Sequence, residues 1–239
     1  MRVLTILMLT ATLLVVVVPP VHRPFALMTL LSTALLWLLP TMIRGHIGKV
    51  GTYAHEVCHG TVSFLTGGEF HSFQVRGDGG LSITSGGKRV LVIAAGYVGT
   101  VLLGAIFLAR SAQDESLTLI LYLVAILVAL STLKAGDIHT IVIGHVVALT
   151  LGTIGLLAPG SLTERFLMNL LGVVLVWQGL VAIWDLYRLS ATQSRTGSDA
   201  EAMAVVAGGT PLLWAVVYGG LAIVILLVLG SALLHPAGF

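Results

Sequence analysis

Long apolar runs separated by short, turn-rich links dominate the chain. A helix that crosses a hydrocarbon core about 30 Å thick needs about 20 mostly apolar residues. Runs near that length occupy residues 3–18, 25–42, 50–65 and 90–108. Further runs occupy residues 117–133, 138–157, 166–189 and 212–234. The pattern predicts about eight transmembrane helices. The run at 50–65 is short for a span and carries polar residues. Residues 1–20 resemble a secretory signal, with Arg2 ahead of an apolar stretch. They end in Val-Val-Pro-Pro without a small-x-small cleavage site, so they read as a retained first helix.

Pro19-Pro20, Gly136-Asp137 and Pro159-Gly160 mark short links. Two links are longer. In residues 67–87, Phe70 to Val75 alternate in part between apolar and polar. Gly77-Asp78-Gly79-Gly80 then marks a turn, and Leu81 to Thr84 alternate again. This pattern predicts a β-hairpin over 70–84. Residues 190–209 are polar and then small and weakly apolar. Within them, Ser198-Asp199-Ala200-Glu201 reads as a helix N-cap followed by acids in the first turn.

Composition agrees with a lipid setting. Apolar residues make up 57% of the 239 residues and charged residues 9%, against about 25% charged in soluble domains. The fold class is therefore an all-α polytopic membrane protein with one small β-hairpin. Residues 1–239 form a single integral membrane domain. It divides into N-terminal helices (1–48), a metal helix with the hairpin and following helix (49–109), and C-terminal helices (110–239). The net charge of +2 is small, and its basic residues are scattered, so no nucleic-acid surface is expected. Lipid is the expected surrounding partner. Cys58 is the single cysteine, which excludes an intrachain disulfide. It reads as a small packing residue.

The candidate chemistry lies in His55-Glu56-Val57-Cys58-His59. Residues four apart share one face of a helix, so both imidazoles can reach one zinc ion. In such a motif the glutamate takes a proton from the metal-bound water and passes it to the leaving amine. Glu56 is thus the candidate catalytic base, with His55 and His59 as metal ligands. Three ionisable side chains in one apolar helix are costly unless they face an interior.

Around this motif the sequence reads Thr52-x-x-His55-Glu56-x-x-His59-Gly60. Thr66-Gly67-Gly68, the hairpin and Ala95-Gly96-Tyr97-x-Gly99 follow. Over residues 52–214 the chain resembles the site-2 protease family of intramembrane zinc metallopeptidases, in its bacterial and plant peptidase-like branch. The resemblance implies Zn2+ within the membrane and cleavage of a peptide bond in or near a transmembrane segment. It implies a membrane-protein or peptide substrate and the plasma membrane of a bacterium. It also implies that the hairpin holds substrate as an added strand, with Phe73, Val75, Gly79 and Gly80 as candidate substrate-binding residues.

Members of that family commonly supply a third ligand from a Leu-Asp-Gly motif, which this sequence lacks. Three aspartates are candidates. Asp185 is placed first, because a carboxylate in an apolar helix is costly without a partner. Asp199 is the alternative, with a plainer account as a helix-capping acid. Asp137 comes third. Gly96, Gly99 and Gly104 form a small-residue face for helix packing. The missing motif also leaves open a non-proteolytic escort of membrane proteins, and the histidines leave open a metal transporter.

Overall fold

The computed structural model describes residues 23–77, 79–113, 116–192 and 197–234. It begins with α1 (Arg23–Leu38) and α2 (Thr41–Leu65), followed by a hairpin of β1 (Glu69–Arg76) and β2 (Gly79–Ser85). Next come α3 (Arg89–Ser111), α4 (Thr118–Ser131) with a 3-10 turn at Thr132–Lys134, and α5 (Ile138–Leu157). The chain continues through α6 (Leu162–Ala191), α7 (Asp199–Ala207) and α8 (Pro211–Leu234).

Among the described residues, four helices are long and apolar enough to cross a membrane: Arg89–Ser111, Ile138–Leu157, Leu162–Ala191 and Pro211–Leu233. This corrects the expected eight. The helices Arg23–Leu38 and Thr118–Lys134 are apolar but shorter. At 1.5 Å per residue, the 16 residues of α1 reach only about 24 Å. The α2 helix has 25 residues but carries Arg44, Lys49 and Glu56 with three histidines. The expected span at 3–18 lies outside the described residues. The expected run at 25–42 is interrupted at Pro40. That residue is extended (φ −52°, ψ 145°) and starts α2, because proline lacks an N–H and disfavours helix in the residue before it.

The α3 and α6 helices form the packed centre. Gly104 and Gly172 let their backbones meet: a Cβ on Gly104 would lie 2.8 Å from the Val176 nitrogen and 2.9 Å from the Gly172 oxygen. Small residues serve this purpose in membrane bundles, where apolar burial alone does not drive helices together. Several polar side chains in the core are paired. The buried Asn169 on α6 accepts from Ser32 on α1 and donates to Thr29 and Ser111. The buried Glu164 accepts from Thr118 Oγ1 (2.6 Å) and from the Gly160 N–H (2.9 Å). Such pairing removes most of the cost of burying polar groups.

The hairpin matches the expected 70–84 closely. It is antiparallel, with a bulge between Phe70 and Ser72. One edge of β1 is covered by the start of α5. The Gly136 N–H donates to the Phe73 carbonyl (2.7 Å), and the Val75 N–H donates to Thr140 Oγ1 (2.8 Å). Asp137 caps α5 by accepting from the Thr140 N–H and hydroxyl. Because Phe73 and Val75 turn their backbone groups away from β2, their cross-strand partners Ser82 and Gly80 turn theirs away from β1. Among the described residues the sheet has two strands, so the outer edge of β2 has no strand partner.

The close α3–α6 contact gives a direct test. Gly104→Ala should destabilise the protein by about 1–3 kcal/mol, because backbone rather than a flexible side chain must move. Gly220→Ala, with nothing within 4 Å of its Cβ, should not destabilise. Denaturation in detergent compares the two variants.

Candidate metal centre

Helix α2 presents one face to a cavity of about 930 Å³. Gly45, Lys49, Thr52, His55, Glu56 and His59 lie on this face, at the spacing a helical stripe requires. Glu56 and His59 are buried.

His55 Nε2 and His59 Nε2 stand 3.1 Å apart. Asp199 Oδ2 lies 3.4 Å from the first and 3.3 Å from the second. Three ligand atoms at about 2.0–2.1 Å from a tetrahedral ion are separated by about 3.3 Å. The observed triangle has those dimensions. His59 is also oriented from behind: its Nδ1 donates to the Val92 carbonyl on α3 (2.6 Å). This fixes the tautomer and turns the Nε2 lone pair to the triangle, as in many metal sites. The His55 ring stands edge-on to Tyr97, with centroids 4.6 Å apart.

Gly96 supplies the space. A Cβ built there would overlap both histidine Nε2 atoms. A methyl group would therefore fill the place that an ion shared by the two nitrogens must take. The Gly96–Gly104 face divides its work: Gly104 serves helix packing, Gly99 faces Cys58, and Gly96 faces the imidazoles. Cys58 is buried against α3 and outside the donor group.

Asp199 stands where Asp185 was expected. Among the described residues, the group of donors able to share an ion is His55, His59 and Asp199. Asp185 lines the same cavity without joining that group, and Asp137 is engaged as the cap of α5. The reason lies in α7. Ser198 performs the capping, accepting from the Glu201 N–H (3.4 Å). Asp199 is thereby released from the capping role given to it by its sequence position. Ala200 and Met203 are fully buried and pack with Ile93, Ile183 and Tyr218. This small apolar face draws α7 against α3 and carries Asp199 to the histidines. Its signal in the sequence is two buried positions three residues apart inside a polar link.

Glu56 points to a different neighbour. A Cβ on Gly80 would overlap its carboxylate, so the glycine in β2 makes room for it. The Ser82 hydroxyl donates to the Glu56 carbonyl (3.1 Å), which ties the same helical turn to β2. The expectation for the hairpin needs correction at two residues. Phe73 and Val75 are 0% and 2% exposed and pack with Tyr53 beneath the sheet, so their side chains cannot meet a substrate. Gly79 and Gly80 are exposed and line the cavity.

The chain matches the family model described as Peptidase M50B-like over residues 28–229. No curated protein and no solved structure matches it. The matched region contains α2, the hairpin, the α3 glycines and Asp199. With its apolar spanning helices, this is an integral membrane protein, and the chain belongs to the Peptidase M50B-like group of the site-2 protease family.

Proposed function

We propose that this protein is an intramembrane zinc metalloprotease that hydrolyses a peptide bond of a membrane protein, in the plasma membrane of a bacterium. The observation that carries the reading is the triangle of His55 Nε2, His59 Nε2 and Asp199 Oδ2, with Glu56 beside it and outside it. Two imidazoles and a carboxylate are a donor set that zinc accepts while keeping a fourth position open. When bound, the ion supplies a Lewis acid for the scissile carbonyl and an activated water.

The chain's own residues do the rest. Glu56 accepts the proton of the attacking water and returns it to the leaving amine. Its neighbour Gly80 leaves space for that movement. The backbone N–H and C=O groups of Gly80 and Ser82, on the open edge of β2, pair with an extended segment of substrate. This replaces the expected contacts to Phe73 and Val75. The cavity admits water to the site, which also permits irregular substrate backbone at membrane depth. A glutamate adjacent to the donors favours hydrolysis over the escort reading, which has no use for a proton carrier.

The ligand set predicts a metal content. Protein purified without chelator should carry about one zinc per chain. His55→Ala, His59→Ala and Asp199→Ala should each strip most of it, and Asp185→Ala should retain it. Gly96→Ala should also lose the ion, although it removes no donor. Elemental analysis reads all five variants. Zinc-free wild-type protein contradicts the assignment.

The base predicts a rate. Glu56→Gln should keep its zinc and slow cleavage of a transmembrane reporter in vesicles by about 10²–10⁴-fold, since the amide cannot carry the proton. Cleavage at the wild-type rate removes Glu56 from the mechanism and favours another role for the fold.

A further inference from the structure

The cavity lining carries charges of both signs: Glu56, Asp185 and Asp199, and, toward the start of α2 and at the turn of the hairpin, Arg44, Lys49 and Arg76. Lys49 Nζ donates to His139 Nε2 (3.0 Å), and the Arg76 guanidinium donates to Gln74 Oε1. Arg44 sits over the Trp37 ring at 5.9 Å. These partners are neutral. Among the described residues, none of the three cations forms an ion pair. A carboxylate forms stronger, charge-assisted hydrogen bonds with such donors than these neutral partners do.

Position defines what the cations can reach. Lys49 precedes Glu56 by seven residues on the same face of α2, or about 10 Å along the axis. An extended chain covers that distance in about three residues. Arg44 precedes Glu56 by twelve residues, which corresponds to about 18 Å and between five and six extended residues, roughly. Arg76 joins them from the hairpin, opposite Gly79 in register. An extended peptide held on β2 at Gly80 therefore passes the cations as it leaves Glu56.

The geometry points to a substrate subsite at these cations, one that takes acidic side chains about three to six residues from the scissile bond. The subsite rests on the protease reading, since its distance is measured from Glu56. It makes an acidic flank a specificity determinant, on the side of the cut that runs toward the N-terminal half of α2.

The test uses the full-length protein in neutral phosphatidylcholine vesicles. Its probes are fluorescent leucine-rich transmembrane peptides with a flank of glutamates, glutamines or lysines on either side of the helix. Wild-type protein should bind the glutamate peptide about tenfold more tightly than the glutamine peptide, on one of the two flanks. The Lys49→Gln/Arg76→Gln double variant should lose this preference. The Lys49→Glu/Arg76→Glu variant should reverse it and favour lysine, a gain that misfolding cannot produce. Equal wild-type affinities, or a preference that survives charge reversal, overturns the subsite. So does its disappearance in phosphatidylglycerol vesicles, which would assign the cations to lipid headgroups. Cleavage is scored separately in zinc-loaded samples. A peptide that binds with the preference but stays intact supports the subsite and contradicts the protease reading. A peptide cut without regard to its flank overturns the subsite alone.

Discussion

A carboxylate and two imidazoles facing one another inside an apolar bundle impose the constraint on which the site depends. None of these groups is inexpensive there, and all three have been brought within 3.4 Å of one another. Each surrounding element serves that meeting. Helix α2 places the imidazoles on one face. Gly96 lets α3 approach without filling the space between them, and the Val92 carbonyl fixes the orientation of His59. Helix α7 brings Asp199 by burying Ala200 and Met203. The fold around the site is consistent with a cation balancing the carboxylate and taking both lone pairs.

The hairpin gives the site direction. Its β1 edge is closed by Gly136 and Thr140, and its β2 edge is left open beside Glu56. An edge strand with no partner is ordinarily a hazard. Here the open edge belongs to the short strand Gly79–Ser85, most of whose residues line the cavity. Tyr53 and Phe73 stand edge to face beneath it, with centroids 5.0 Å apart, and fix the height of the sheet above α2. The position of Glu56 relative to the open edge thus follows from side chains buried beneath the sheet.

The parts legible in the sequence were those set by local rules. His55, Glu56 and His59 follow from the helical repeat alone. The hairpin follows from alternation on either side of Gly77–Gly80. The third donor depends on tertiary packing. Asp199 sits in a nine-residue helix whose path is decided by two buried side chains, and no periodicity over so short a length reveals that. Asp185 drew attention through the cost of a carboxylate in an apolar helix, yet it meets the cavity and needs no metal to offset that cost. Alternation correctly groups Phe73 with Val75 on one face of the strand. It does not say which face is buried, and the answer is theirs. Helix count differs in part for a related reason: α2 lines a polar cavity, so it does not read as a span although it is long enough.

X-ray absorption at the zinc edge of the purified protein tests the central claim most directly. The account predicts a first shell of nitrogen and oxygen at about 2.0–2.2 Å, with two imidazoles and one carboxylate. That shell should change in Asp199→Asn and stay the same in Asp185→Asn. A spectrum altered by Asp185→Asn and indifferent to Asp199→Asn, or one containing sulfur from Cys58, would contradict it.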